Sequence, residues 1–240
     1  MCGRYTLTRQ EAIVVELQAS PGPDVLASAW WKPRFNVAPT QPSPVVTLHE
    51  GARVAQMMRW GLVPFWATKP GAARPPLMIN ARMESLHAKP WFREALAVRR
   101  CLVPADGFFE WKRSADDPTY RQPIYLRPES RKLVAFAGLW ARAKAGDGSE
   151  QLSFAIITGP PNALVKPIHD RMPVVLDEST YDAWLDPLMD GEGARALLQI
   201  PPVGDWRGVP VSPYVNKAAN DDPRCVEPVD DDPAKQLLLF

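Results

Sequence analysis

Apolar positions in this chain recur mostly with the period of a half-buried strand and only briefly with that of a helix. "SPVVTL", a "HEGA" turn and "RVAQMMRWGL" read as a β-hairpin over residues 43–62. "RCLVPADGFFEWK", "QPIYLR", "LVAFAGLWA", "LSFAIIT" and "RMPVVL" are further strand candidates. Each is short, aromatic or β-branched, and bounded by Pro, Gly or Asp. Helical spacing shows first over residues 8–19, where Thr8 and Glu11 have capping-box spacing and Ile13, Val14 and Leu17 supply an apolar face. "SPGP" ends that helix, and others are expected near 91–98, 160–167, 179–186 and 191–198. Strands follow one another without the regular helix alternation of a parallel α/β fold. The pattern predicts an α+β fold: a β-rich single domain with antiparallel sheets in a barrel-like arrangement and peripheral short helices. The domain spans 1–218, and residues 219–240 ("DDPRCVEPVDDDPAK" within them) read as a flexible acidic tail.

Composition adds limits. The 27 prolines in 240 residues are more than twice the usual share of about 5%, which favours many turns and short elements. The formal net charge of +1 means that any nucleic-acid contact comes from a local basic patch, not from bulk charge. No apolar run approaches the roughly 18 residues of a membrane span, and the start lacks a signal-peptide pattern. Cys2, Cys101 and Cys225 are odd in number and far apart, which argues against a disulfide framework and for a reducing, cytoplasmic compartment. No short-spaced Cys/His pair, G-x-S-x-G elbow or Gly-rich phosphate loop is present, so the expectation is no metal and no cofactor.

The candidate chemistry begins at Cys2. A terminal residue rarely has a packing duty, and removal of Met1 turns Cys2 into a 1,2-aminothiol with amine and thiol on adjacent carbons. In "LMINARMES", Asn80 and Arg82 share one face if the segment is extended; the plain alternative is a turn Asn and a solvated Arg. Glu110 stands between Phe109 and Trp111, where a carboxyl group is costly to ionise and can shuttle protons near pH 7; otherwise it is a surface Glu on an edge strand. In "IHDRMP", Pro173 biases the chain toward extended backbone, so that His169 and Arg171 face one way and Asp170 the other. A structural His–Asp pair is the alternative there. "RWGLVPFW" and "SAWWKPRFNVAPTQ" set aromatics beside Lys32, Arg34 and Arg59, which suits either stacked bases and phosphates or a Trp-rich core with snorkelling arginines.

Taken in order, "MCGRY", "RFNVAPTQ", "WGLVPFW", "NARMES", "CLVPADGFFEW", "HDRMPVVL" and "VSPYVN" resemble the SOS-response-associated peptidase family, whose members are also called abasic-site processing proteins. The resemblance covers roughly residues 1–220. Phe109, where the family commonly has Tyr, departs from the pattern and bears on a hydroxyl contact there, but not on the Glu. The resemblance implies Cys2, after loss of Met1, as nucleophile, Asn80 as a positioning group, Glu110 as acid/base, and His169 as an aid to ring opening of an abasic sugar. Arg82 and Arg171 would hold phosphates, and Asn36, Pro39, Trp60, Trp66 and Trp111 would line the DNA face. Arg4 is placed with these DNA-contacting residues and would also favour the Cys2 thiolate. The implied partner is single-stranded DNA carrying abasic sites, bound by a monomer with no membrane association.

Two other readings stay open: a cysteine peptidase acting through Cys2, Glu110 and His169, and a non-catalytic single-strand binder. The final "QLLLF" resembles the peptide by which bacterial repair proteins dock on the sliding clamp, with Gln236, Leu237, Leu239 and Phe240 as anchors; a terminal strand packed on the domain itself is the alternative.

Overall fold

The computed structural model describes residues 2–64, 67, 77–130, 132–144, 148–200 and 202–229. In chain order its elements are β1 (Tyr5–Leu7), α1 (Ala12–Glu16), β2 (Ser20–Pro21), α2 (Pro23–Leu26), β3 (Arg34–Val37), β4 (Pro42–His49), β5 (Ala52–Trp60) and β6 (Asn80–Arg82). They continue with α3 (Pro90–Val98), β7 (Arg100–Ala105), β8 (Gly107–Arg113), β9 (Arg121–Pro128), β10 (Val134–Lys144) and β11 (Glu150–Gly159). The last are β12 (Met172–Pro173), α4 (Tyr181–Leu185), α5 (Gly191–Ala196) and β13 (Trp206–Pro210).

The expected hairpin is β4–β5, turning at Glu50 and Gly51, both at positive φ (50° and 79°) as a two-residue hairpin turn requires. Antiparallel pairing continues from β4 to β7, β10 and β11. The ring then closes where β11 meets β5, with Ser153 opposite Arg59 and Phe154 opposite Trp60. That seam is parallel, as are β6 on β11 and β2 on β5, so the sheets are mixed and not purely antiparallel. A second sheet, in the order β13-β9-β8-β1-β3, packs beside the barrel.

Aromatic side chains fill the space between. Tyr5 meets Trp60 edge-on at 5.2 Å, Trp60 stacks on Phe154 at 6.2 Å, and Phe136 takes edges from Tyr5 and Phe108. Each such pair adds roughly 0.5–1.5 kcal/mol beyond its buried area. Trp60 also donates its indole N–H to the Ile79 carbonyl at 2.9 Å, which pins the start of β6 beside the barrel seam. On the outer face of the second sheet, Phe109, Tyr125, Val211, Val215 and Cys225 form a smaller cluster. Gly107 is required there by space, because a Cβ would lie 2.4 Å from the Tyr125 ring.

Four expectations change. Helix α1 is shorter than the 8–19 reading, because Thr8 does not cap it: its N–H and hydroxyl both go to the Asp106 carboxylate, which Thr6 also meets. A tertiary partner has displaced the local cap. The 160–167 stretch is a run of turns, not a helix, with Pro160, Pro161 and Pro167 limiting its main-chain donors. His169 and Arg171 precede β12 and are not in an extended run.

The tail boundary also moves. Residues 219–229 are part of the fold: Pro223–Val226 form a 3-10 turn, Cys225 is fully buried, and Asp221 accepts the main-chain N–H groups of Phe35 at 2.7 Å and Asn36 at 2.9 Å. Asp221 also pairs with Arg34, a guanidinium with 1% exposure that stacks over Trp30. A buried cation needs such a partner, and the acidic stretch provides it.

Candidate functional site

β1 is an interior strand, held by β3 on one side and β8 on the other. Cys2 lies just before it and is completely buried. Asn80, the first residue of β6, reaches across and donates its side-chain N–H to the Cys2 carbonyl at 2.8 Å. The extended reading of "NAR" holds: Ala81 is buried against the barrel, while Asn80 and Arg82 turn the other way and Arg82 is exposed.

β8 supplies the acid. Strand alternation puts Glu110 on the same face as Phe108, toward the main core, and leaves it 2% exposed. Burial pushes its pKa up to about 7; the positive amino terminus opposes that shift and Asp170 adds to it. Its Oε1 has no hydrogen-bond partner among the described residues, and neither does Oδ1 of Asn80. Two acceptors are thus held ready around the main chain of Cys2.

His169 completes the group, with Nε2 3.9 Å from Glu110 Oε2. Its Nδ1 lies 3.0 Å from two rivals, the main-chain N–H of Arg171 and the carboxylate of Asp170. The two ask for opposite protonation of Nδ1. The main-chain donor is fixed in place, whereas Asp170 is 85% exposed and free to turn into water. The neutral ring therefore accepts at Nδ1 and carries its proton on Nε2, facing Glu110. Burial, then the positive amino terminus, lowers the His169 pKa and favours that neutral form.

The Cys2 thiol is shifted the other way. Burial and then the Glu110 charge raise it well above the usual range, so the resting group is a thiol. Arg4 does not favour the thiolate. Its guanidinium points to the Val215 carbonyl at 2.8 Å, the Asn216 carbonyl at 3.2 Å and Asn36 Oδ1 at 3.0 Å.

Cys2, Asn80, Glu110 and His169 are brought together. The expected DNA-lining set is not. Trp60 is a core side chain. Asn36 is fully buried, its amide N–H groups going to the carbonyls of Val215, Lys217 and Asn220. Both hold the frame and cannot meet a ligand. Pro39 is half-buried, and Trp111 is half-buried with its indole N–H on Asn216 Oδ1 at 2.8 Å. Trp66 lies outside the described residues, as do Gln236, Leu237, Leu239 and Phe240. Arg171 is bound within the protein: both terminal nitrogens meet Glu84, at 2.6 and 3.0 Å, and one also meets the Thr158 carbonyl.

Three contributors escaped the sequence reading. Glu84 holds Arg171, Asp106 ties Thr6 and Thr8 and so anchors β1 behind Cys2, and Asp221 fixes β3. Glu84 and Asp106 lie inside the blocks "NARMES" and "CLVPADGFFEW", where Asp106-Gly107 reads as a turn before the strand of Glu110; Asp221 carried no signal. Among the described residues no group of three His, Cys, Asp or Glu is placed to hold a metal ion.

Comparisons with known proteins fit this geometry. The family model described as SOS response associated peptidase (SRAP) matches residues 1–218. Abasic site processing protein YoqW of Bacillus subtilis (strain 168) is 37% identical over 230 residues, covering 95% of this chain and 99% of that protein. Abasic site processing protein HMCES of Rattus norvegicus is 31% identical over 233 residues, covering 82% of this chain and 65% of that longer protein. A crystal structure of a Bacteroides thetaiotaomicron protein superposes with a TM-score of 0.79 at 25% identity, over 95% of this chain and 100% of its own. With the family model spanning the barrel, the second sheet and all four converging side chains, the chain belongs to the SOS response associated peptidase family.

Proposed function

We propose that this is a DNA-repair protein that captures abasic sites in single-stranded DNA as a covalent thiazolidine on Cys2, once Met1 has been removed. The observation that carries the reading is the convergence of a main-chain-anchored Cys2, a carboxyl group poised near pH 7 and a neutral histidine. Relatives named for abasic-site processing support the same substrate class.

The chemistry follows from the positions. His169, with its proton on Nε2, donates to the ring oxygen of the abasic deoxyribose as the ring opens to the aldehyde, and Glu110 accepts the proton of the C1′ hydroxyl. The α-amine of Cys2 attacks the aldehyde carbon. Glu110, now protonated, returns a proton to the departing oxygen; one amine proton leaves with it as water, the other returns to Nε2 of His169 and restores the neutral ring, and an imine forms. The thiol adds to the imine carbon: the S–C bond forms, the thiol proton passes to nitrogen, and a five-membered ring closes. The net change is loss of one water. Because amine and thiol lie on one residue, the second step is intramolecular. The raised thiol pKa keeps the sulfur protonated until the imine is there to accept it. If ring closure fails, the imine is open to β-elimination, a latent lyase activity.

The test is a denaturing gel of the protein with a single-stranded oligonucleotide carrying one abasic site, after intact mass has established loss of Met1. A shifted band with the wild type and none with Cys2→Ala is the expected result. No band from the processed wild type overturns the reading and moves the peptidase forward. We further propose that residues 236–240 dock on a bacterial sliding clamp.

A further inference from the structure

Arg171 and Arg82 each lie two residues from a side chain of the site, His169 and Asn80 respectively, and both meet at Thr158: Arg82 pairs with it across β6–β11, and Arg171 donates to its carbonyl. A sugar held over Cys2 carries a phosphate on either side, so these arginines lie where the flanking phosphates must pass. Yet Arg171 is already occupied. Its two terminal nitrogens grip the two oxygens of Glu84 in the fork geometry with which a guanidinium binds a phosphate, at 2.6 and 3.0 Å. Glu84 follows β6 directly and its side chain is 49% exposed, whereas that of Arg171 is 12% exposed. The outer partner is therefore the carboxylate, which is the one that solvent or an incoming anion meets. The Arg171 Nε–H has no acceptor among the described residues, so the guanidinium is incompletely satisfied by the carboxylate and the Thr158 carbonyl.

We infer that Glu84 is a built-in competitor for the phosphate backbone, occupying Arg171 so that undamaged single strands are held weakly. This rests on the function proposed above and names a specificity determinant for it. On an intact strand, a phosphate must displace the carboxylate and gains little. On an abasic strand, the covalent bond to Cys2 makes the loss irrelevant to retention. Discrimination between damaged and intact DNA thus comes partly from a residue that touches neither the sugar nor Cys2.

The experiment measures binding of an undamaged fluorescent single strand by anisotropy across a salt series, with wild type, Glu84→Gln, Glu84→Asp and the double variant Glu84→Gln/Arg171→Gln. Gln keeps an acceptor for Arg171 and removes the charge. The expected result is roughly two- to fivefold tighter binding by Glu84→Gln, the range of an exposed ion pair. The salt slope should steepen by up to about 0.7, the value of one phosphate contact on a single strand. Glu84→Asp, which keeps the charge, should stay within about twofold of wild type, and the double variant should lose the gain. Intact strand should also inhibit crosslinking by Glu84→Gln at lower concentration than it inhibits wild type. Unchanged or weaker binding by a folded Glu84→Gln overturns the inference, and so does a gain that survives in the double variant. Should Glu84→Gln fail to fold, a Glu84→Asp variant that binds intact strand as tightly as a folded Glu84→Ala also overturns it. Failure of the parent reading looks different: the processed wild type forms no crosslink at all.

Discussion

Nε2 of His169 faces Oε2 of Glu110 across 3.9 Å, while Nδ1 of the same ring accepts the Arg171 main-chain N–H at 3.0 Å. The ring is thereby presented with its proton toward the site, as a donor to a sugar oxygen. Its duty is confined to ring opening, since an aldehyde that is already open has no ring oxygen to protonate. His169→Ala should therefore slow crosslinking to an abasic oligonucleotide about 10²–10⁴-fold, the usual range for a lost general acid. The same variant should form a thiazolidine with a simple aliphatic aldehyde at close to the wild-type rate, read as a mass increase of the intact protein. Equal losses on both substrates would reassign His169 to the ring-closing chemistry.

Glu110 makes a second prediction, about stability. Its folded pKa of about 7 lies above the ordinary value of 4.5, so the folded state binds its proton more tightly than the unfolded chain does. The contribution favouring the fold is complete below pH 4.5 and is lost as pH rises through 7. A neutral isostere escapes that loss. Glu110→Gln should be more stable than wild type at pH 8 by about 3 kcal/mol, and the gap should close toward pH 4.5, as followed by thermal melting at each pH. A variant that is no more stable at pH 8 would mean that the carboxylate has found a partner in the folded state.

Asp221 gives a third. It closes on a guanidinium that has 1% exposure and on two main-chain donors of β3. Asp221→Ala should cost about 3–5 kcal/mol, because a buried charge is left without its partner. Asp182→Ala is the control: that carboxylate is 87% exposed opposite Arg53, and its loss should cost at most about 1 kcal/mol. Urea melts of the two variants decide it, and similar losses would show that Arg34 is resolvated when Asp221 goes.

A fourth concerns the end of the chain. A peptide of residues 233–240 should bind a bacterial sliding clamp in solution, and Gln236→Ala with Phe240→Ala should abolish it. Calorimetry that detects no heat at high micromolar peptide would remove the clamp from the account.

What could be read from the sequence divides along a physical line. The strands β4, β5 and β7 to β11 each have six or more residues, apolar in alternation or in continuous runs and bounded by their own turn residues, so local sequence reports them. β1, β3 and β6 have three or four residues, too few for any period, and form because distant strands offer them hydrogen bonds. Glu110 was legible as a buried carboxyl but for the wrong neighbours: alternation turns Phe109 and Trp111 to the outer cluster, and it is the core on the Phe108 face that buries the carboxyl and raises its pKa. Asn36 and Trp60 misled because a block of polar and aromatic residues serves scaffolding as readily as ligand contact. Thr8 had the spacing of a cap and spent its hydroxyl on Asp106, a partner 98 residues away. The closing seam between β5 and β11 has no local signature at all.

The placement of β1 also bears on the protein's synthesis. Its two neighbours are residues 34–37 and residues 107–108, and the second of these leaves the ribosome about 5–20 s after the first residues at ordinary translation rates. Until β8 arrives, the leading segment has only one flank. The residue that reacts is among the first to be made, yet the strand behind it is fixed only when residues 107–108 are in place, and the Glu110 carboxyl arrives with them. A chain truncated before β8 should therefore form no crosslink, however completely its leading residue has been processed.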